Sequence, residues 1–249
     1  LLVLFPPSET KRSGGGSAVL DLDALAFRGL RAQRERVLSA VEQLSRDPAE
    51  AARVLKLGPT QRDAIAVNAA LRSAPTMAAV DRYTGVLYDA LDAASLDAPA
   101  RRWLGAHVAI QTALLGPVMA GDRIPSYRLG ATASLPGCPP LRRVWAAAVS
   151  GSLAELPTSF VLDLRSEAYV GLGPVPDSLP SAYVRVVTEG PDGAVRALNH
   201  FNKHAKGALV RMLATQRPRI RNRRAFTAWA DAQGLRVDER PDGELALFA

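Results

Sequence analysis

Lys11, Ser166 and Lys206 have the residue type and the company to do chemistry in this 249-residue chain. Lys11 follows Ser8 and Thr10 and precedes Arg12 and a run of three glycines at 14–16, Ser166 leads Glu167 and Tyr169, and Lys206 stands three residues after Lys203. A lysine set among hydroxyls and other cations can give up its proton near neutral pH and serve as base or nucleophile. Tyr83, beside Arg82 and Gly85, and the Tyr127-Arg128 pair add aromatic faces and a guanidinium suited to stacking and phosphate pairing. Ser8, Thr10, Lys11, Tyr83, Tyr127, Arg128, Ser166, Glu167, Tyr169, Lys203 and Lys206 are therefore the candidate lining of a cleft for an anionic or nucleotide-like ligand. No Ser, His and Asp set stands at a diagnostic spacing, so the enzymatic reading goes no further than a lyase or hydrolase type. The Walker pattern places its glycines before the lysine, whereas here Lys11 precedes them, which argues against ATP or GTP binding of that kind. The same glycines read equally as a flexible linker. His200 and His204 are four apart with only His107 and Cys138 as further soft ligands, so neither a metal nor a cofactor is expected.

A second kind of chemistry is electrostatic. Nine of the 31 basic residues fall between Arg196 and Arg224, and no Asp or Glu occurs from 193 to 230. The rest of the chain holds 22 basic residues against 24 acids, so the formal net charge of +7 originates in this one segment. Such a concentration draws phosphate, and duplex DNA is the expected partner, with Lys203, Lys206, Arg211, Arg217, Arg219, Arg221, Arg223 and Arg224 as phosphate contacts. The alternative is a solvated helix face, with Arg serving in internal ion pairs.

These residues need elements to hold them. LLVLF at the start and FVLDL at 160–164 read as buried strands, each ending in a polar loop, and ligands usually sit beyond the carboxyl ends of such strands. Residues 26–44 and 49–71 carry helical apolar spacing, with Asp47 and Pro48 as a start signal and Pro59 as a break. Asp97, Pro99 and Arg101 open another helix, and Leu141 to Leu156 is helical with Trp145 inward. ALLG at 113–116 reads as a hairpin between helices able to offer backbone N–H groups to DNA, although Pro117 removes one donor. GPDG predicts a β-hairpin joining 183–188 to 195–201, and a second is predicted around Pro241, Asp242 and Gly243. Between them, apolar spacing from Lys203 to Gln216 gives a helix that Pro218 ends and Asn222 restarts. Together these predict a single domain over 1–249 of mixed α/β class, a mixed sheet flanked by helices.

The totals agree with this reading. A chain that is 48% hydrophobic is neither disordered nor fibrous. Its single cysteine and short apolar start point to a cytoplasmic protein, without a membrane partner and expected to be a monomer.

Taken in order, these residues resemble the peroxide stress protein YaaA family. The likeness is carried by Pro7, Ser8, Thr10 and Lys11, by Tyr83-Thr84-Gly85 with Tyr88, by PSYRLG at 125–130, by Trp145, by Ser166, Glu167 and Tyr169, and by Asn202-Lys203 through Gly207. It implies a cytosolic bacterial protein that binds DNA and limits oxidative damage linked to iron, built as a compact α/β fold with a positively charged cleft and a helix-hairpin-helix element. The chain departs from the family pattern at 113–116, where a GLYG-like turn would carry two glycines, and at Glu9 and glycines 14–16.

Overall fold

A computed structural model describes residues 1–189, 195–197 and 201–248. Ten strands are found among them: β1 (Leu2–Phe5), β2 (Met77–Ala78), β3 (Val108–Thr112), β4 (Gly116–Met119), β5 (Arg123–Ile124), β6 (Val161–Asp163), β7 (Ser181–Glu189), β8 (Val195–Ala197), β9 (Val237–Glu239) and β10 (Leu245–Phe248). The α-helices are α1 (Arg31–Leu44), α2 (Pro48–Val54), α3 (Asp63–Ala69), α4 (Ala79–Arg82), α5 (Val86–Leu91), α6 (Ala98–His107), α7 (Leu141–Ala154), α8 (Glu167–Val170), α9 (Phe201–Gln216) and α10 (Arg223–Ala232).

The sheet has the order β4-β3-β1-β6-β7-β10-β9, and its middle five strands run parallel. Antiparallel β4 and β9 flank them. β7 is shared along its length, by β6 at 181–183, β10 at 184–187 and β8 at 187–189. Parallel strands covered on both faces read as unbroken apolar runs, and every residue of β1 is buried. A consequence is that the loops after β1, β3 and β6 leave the sheet at the same edge. The mixed α/β class expected from sequence is what is observed.

One expectation changes. The segment before ALLG forms β3, and ALLG itself is the turn of a β-hairpin into β4, not a connection between helices. Ala113, Leu114 and Leu115 are fully buried, and the Trp145 indole closes the turn by donating to the Ala113 carbonyl at 3.0 Å. That turn cannot reach a DNA phosphate, so the helix-hairpin-helix expected here is corrected to a core β-turn. The break expected at Pro59 is present, since the segment 49–71 forms two short helices separated by a 3-10 turn at Pro59–Gln61. Proline cannot supply the N–H that would continue the first helix. Asp47 caps that helix as expected, accepting from the Ala49 and Glu50 amides at 3.0 Å.

Helix α9 follows its predicted apolar spacing and buries Leu209, Val210 and Leu213. It crosses α5 so closely that a Cβ at Gly207 would stand 2.1 Å from the Leu87 carbonyl oxygen. Among the described residues no helix is long and apolar enough to cross a membrane.

Alanine at 207 should favour the helix itself by about 1 kcal/mol, yet the overlap with Leu87 should outweigh this. Gly207→Ala is expected to lower stability by about 1–3 kcal/mol net, seen as a fall in melting temperature of about 2–12 °C. An unchanged or raised melting temperature would show that α5 and α9 are free to separate.

Candidate functional site at the carboxyl edge of the sheet

The chain leaves β1 through Pro6 and Pro7, whose fixed backbone leads it away from the sheet. The Pro6 carbonyl accepts from the Tyr88 hydroxyl at 2.9 Å, and the Tyr88 ring meets Phe5 edge-on. Ser8 and Thr10 face each other at 3.2 Å, and Thr10 Oγ1 donates to the Thr84 carbonyl at 3.1 Å. Lys11 then pairs with Tyr83 through an isolated antiparallel bridge. Its ammonium nitrogen donates to the Ser8 and Glu9 carbonyls at 3.0 and 3.3 Å and lies 4.1 Å from the Tyr127 ring centre and 5.2 Å from that of Tyr83. The two tyrosine hydroxyls bond to each other at 2.8 Å.

Arg82 fixes this loop in place. Its fully buried guanidinium donates to the carbonyls of Arg12 (2.6 Å), Gly14 (3.0 Å), Pro75 (3.0 Å) and Ile124 (3.0 Å), tying three chain segments together. The Arg12 amide returns a bond to the Arg82 carbonyl at 2.8 Å, and the Gly16 amide bonds the Thr76 carbonyl at 3.0 Å. Gly15 has φ of +150° and lies so near Thr76 that a Cβ would stand 2.6 Å from that carbonyl oxygen. The glycine run is therefore a fitted loop, and neither a flexible linker nor a phosphate cradle.

Beside Lys11 opens a groove of about 250 Å³ lined in part by Glu9, Gln61, Asp63, Tyr127 and Arg128. Arg128 pairs with the Glu9 carboxylate at 3.0 Å. Its backbone is held on both sides by the buried Asn68 side chain, at 2.8 Å each. Burial pushes the Lys11 amine down to about 7, helped by the charges of Arg128 and Arg82 and opposed by that of Glu9. Burial raises the Tyr83 and Tyr127 hydroxyls, which therefore stay protonated.

The loop after β6 arrives at the same edge. Arg165, fully buried, grips Asp163 through two nitrogens at 2.9 and 2.6 Å and also donates to the Gly173 carbonyl at 2.8 Å. Tyr169 is pushed up to about 12, first by burial and then by the Glu9 charge, which places it in the electrostatic company of the Lys11 loop. Ser166 and Glu167 are exposed, and Glu167 pairs with Arg185 at 3.2 Å. Lys206 is buried, with its nitrogen 5.6 Å from the Tyr183 ring centre. Burial lowers it to about 8 while Asp163 and Glu244 act to raise it. Lys11 and Lys206 thus answer to different sets of charges, and the lining of the Lys11 groove includes neither Ser166, Lys203 nor Lys206. Of the residues expected to line one cleft, Lys11 joins Tyr127 and Arg128 at this groove, and Lys206 is not among its lining residues.

The basic segment also divides. Besides buried Lys206, Arg211 donates to the carbonyls of Leu91 (2.9 Å) and Asp92 (2.8 Å), and Arg223 pairs with Glu239. Arg211 and Arg223 are thus tied to carbonyls and an acid of other elements, while Lys206 is buried. Lys203, Arg217, Arg219, Arg221 and Arg224 are exposed. His200 lies outside the described residues, and among those described no group of three or more His, Cys, Asp or Glu could hold a metal.

Sequence reasoning did not name Asn68, Gln61 or Asp63 for the site, and it noted Arg82 only as a neighbour of Tyr83. Arg82 and Asn68 each stand on the buried face of a helix, where an unexplained polar residue is the available signal.

Fold and site define a mixed α/β protein with a half-buried lysine, Lys11, at the carboxyl edge of its sheet. The family model described as Peroxide stress protein YaaA matches residues 1–240. A UPF0246 protein of Corynebacterium glutamicum is 39% identical over 251 residues, covering 99% of this chain and 98% of the relative. Others from Corynebacterium efficiens (44% over 219 residues, 86% and 85%) and Streptomyces coelicolor (42% over 217 residues, 86% and 82%) are similar. The chain belongs to the peroxide stress protein YaaA family.

Replacing Arg82 with Met would leave four carbonyls without their buried donor, at a cost on the order of 3 kcal/mol or more. Denaturant unfolding should show that loss, and hydrogen exchange at the Arg12 and Gly16 amides should accelerate. Unchanged exchange at both amides would remove Arg82 as the organiser of the loop.

Proposed function

We propose that this protein acts in the peroxide stress response as a cytoplasmic, monomeric DNA-binding protein that contacts duplex phosphates through the turn between α9 and α10. One observation carries the reading. Arg217, Arg219, Arg221 and Arg224 are exposed on that turn and its flanks, and among the described residues none has a carboxylate within ion-pair distance. The turn is also anchored. Ile220 is buried beneath it, and Asn222 caps α10 by accepting from the Ala225 amide at 2.9 Å. Cations held on a fixed frame lose less freedom when they meet phosphate than cations on a loose loop. Protein on the phosphates would displace condensed counterions, iron among them, and so limit radical formation at the DNA.

A second reading is favoured by Lys11, a lysine that is partly neutral at pH 7 at the edge of a groove. It makes the groove a binding site for a small anionic substrate, with Arg128 as its counter-charge.

Duplex binding measured across salt should give log K against log salt a slope of about −3.6 if four phosphates are neutralised. Changing all four arginines to Gln should bring the slope close to zero while leaving the fold intact. A flat response in the parent protein, or an unchanged slope in the variant, would overturn the reading.

A further inference from the structure

This chain has only four lysines, Lys11, Lys56, Lys203 and Lys206, the other 27 basic residues being arginine. Arginine stays charged in proteins, so a lysine is what a site needs if an amine must sometimes be neutral. Lys56 and Lys203 are exposed, and Lys206 is faced by Asp163 and Glu244, which favour its ammonium form. Lys11 is placed differently. Among the described residues it has no carboxylate within ion-pair distance, because the neighbouring Glu9 carboxylate is taken by Arg128. A neutral amine has two N–H bonds and one lone pair, and the Ser8 and Glu9 carbonyls at 3.0 and 3.3 Å can accept both N–H groups. What remains is the lone pair.

We propose that Lys11 captures a carbonyl compound, forming an imine with a small hydroxylated aldehyde that carries an anionic group. This inference depends on the reading of the Lys11 groove as a ligand site. The groove, about 250 Å³, suits a molecule of few carbons. Arg128 offers the anionic group a fork that now holds the largely exposed Glu9 side chain, and Asp63 and Gln61 on the same lining suit hydroxyls. The Tyr127 and Tyr83 rings shield the nitrogen from water, and Arg128 and Arg82 disfavour its charged form. In the reaction the lone pair bonds to the carbonyl carbon while the C=O π pair moves to oxygen. One proton passes from nitrogen to that oxygen, giving a carbinolamine. Solvent at the open side of the groove then protonates the hydroxyl, water departs as C=N forms, and loss of the remaining N–H proton leaves the neutral imine. No oxidant or metal is required.

The test uses the full chain with D-glyceraldehyde 3-phosphate and cyanoborohydride, which reduces an imine to a stable secondary amine by hydride transfer. Peptide mapping by mass spectrometry should find Lys11 labelled at least about tenfold more than Lys56 or Lys203 at pH 7, because only Lys11 lies beside a groove with Arg128 to hold the anionic group. Unphosphorylated D-glyceraldehyde should label Lys11 less, and Arg128→Gln should remove that difference. Label on Lys56 and Lys203 with none on Lys11 overturns the inference. Glycerol 3-phosphate, which has no carbonyl, separates the two possible failures by calorimetry. If it binds the parent protein and not Arg128→Gln while Lys11 stays unlabelled, imine formation is refuted and the groove reading stands. If it does not bind and Lys11 is unlabelled, both fall.

Discussion

One buried guanidinium organises the working edge of this protein. Arg82 has no carboxylate partner among the described residues, so its charge is balanced by the carbonyl oxygens of the loop after β1, of Pro75 and of Ile124. Burying a cation in this way is costly unless its donors are satisfied, and the cost is offset only while all those segments keep their places. The loop after β1 is consequently tied to Pro75 and Ile124 through this one side chain. The same positive charge reaches Lys11 and adds to the burial that disfavours its ammonium form.

Two regions of excess positive charge result, and they differ in kind. At the sheet edge, several cations are matched to carboxylates: Arg128 to Glu9, Arg165 to Asp163, and Arg185 to both Glu167 and Glu244. At the α9–α10 turn, arginines are exposed and available to a polyanion. The close crossing at Gly207 joins the regions mechanically, since α9 carries Lys206 and leads to the turn while α5 follows directly from Tyr83 and Gly85. A ligand that moved α5 would therefore act on α9 as well.

Much of this was legible in the sequence, and the failures have physical causes. Strands β1 and β6, the α9–α10 pair, the Asp47 and Asn222 caps and the hairpin closing the chain all follow from local signals that tertiary packing reinforces. Strand β3 was missed because five residues that are all buried, three apolar followed by Gln111 and Thr112, have no period that separates them from a buried helix. The loops after β1 and β6 were expected to meet, and Tyr169 does share its surroundings with Glu9. Lys206 is not among the residues lining the Lys11 groove, and sequence gives the end of a strand but not the lateral distance across a sheet. The charge count identified the basic segment, yet it could not tell Arg211 and Arg223, which bind carbonyls and acids of other elements, from Arg219 and Arg221, which have no such bond among the described residues. Arg82 illustrates the same limit: its four acceptors are backbone atoms, and backbone acceptors leave no mark in a sequence.

The most direct measurement is the titration of Lys11 itself, followed by NMR in protein labelled with carbon-13 at the lysine ε-methylene, where four lysines give few signals to assign. A midpoint at about 7, set by burial against the tyrosine rings and by the charges of Arg128 and Arg82, is the expected result. A midpoint at about 10.4, the value of a lysine in water, would contradict the account, because the Arg82-held loop would then not be withdrawing Lys11 from solvent.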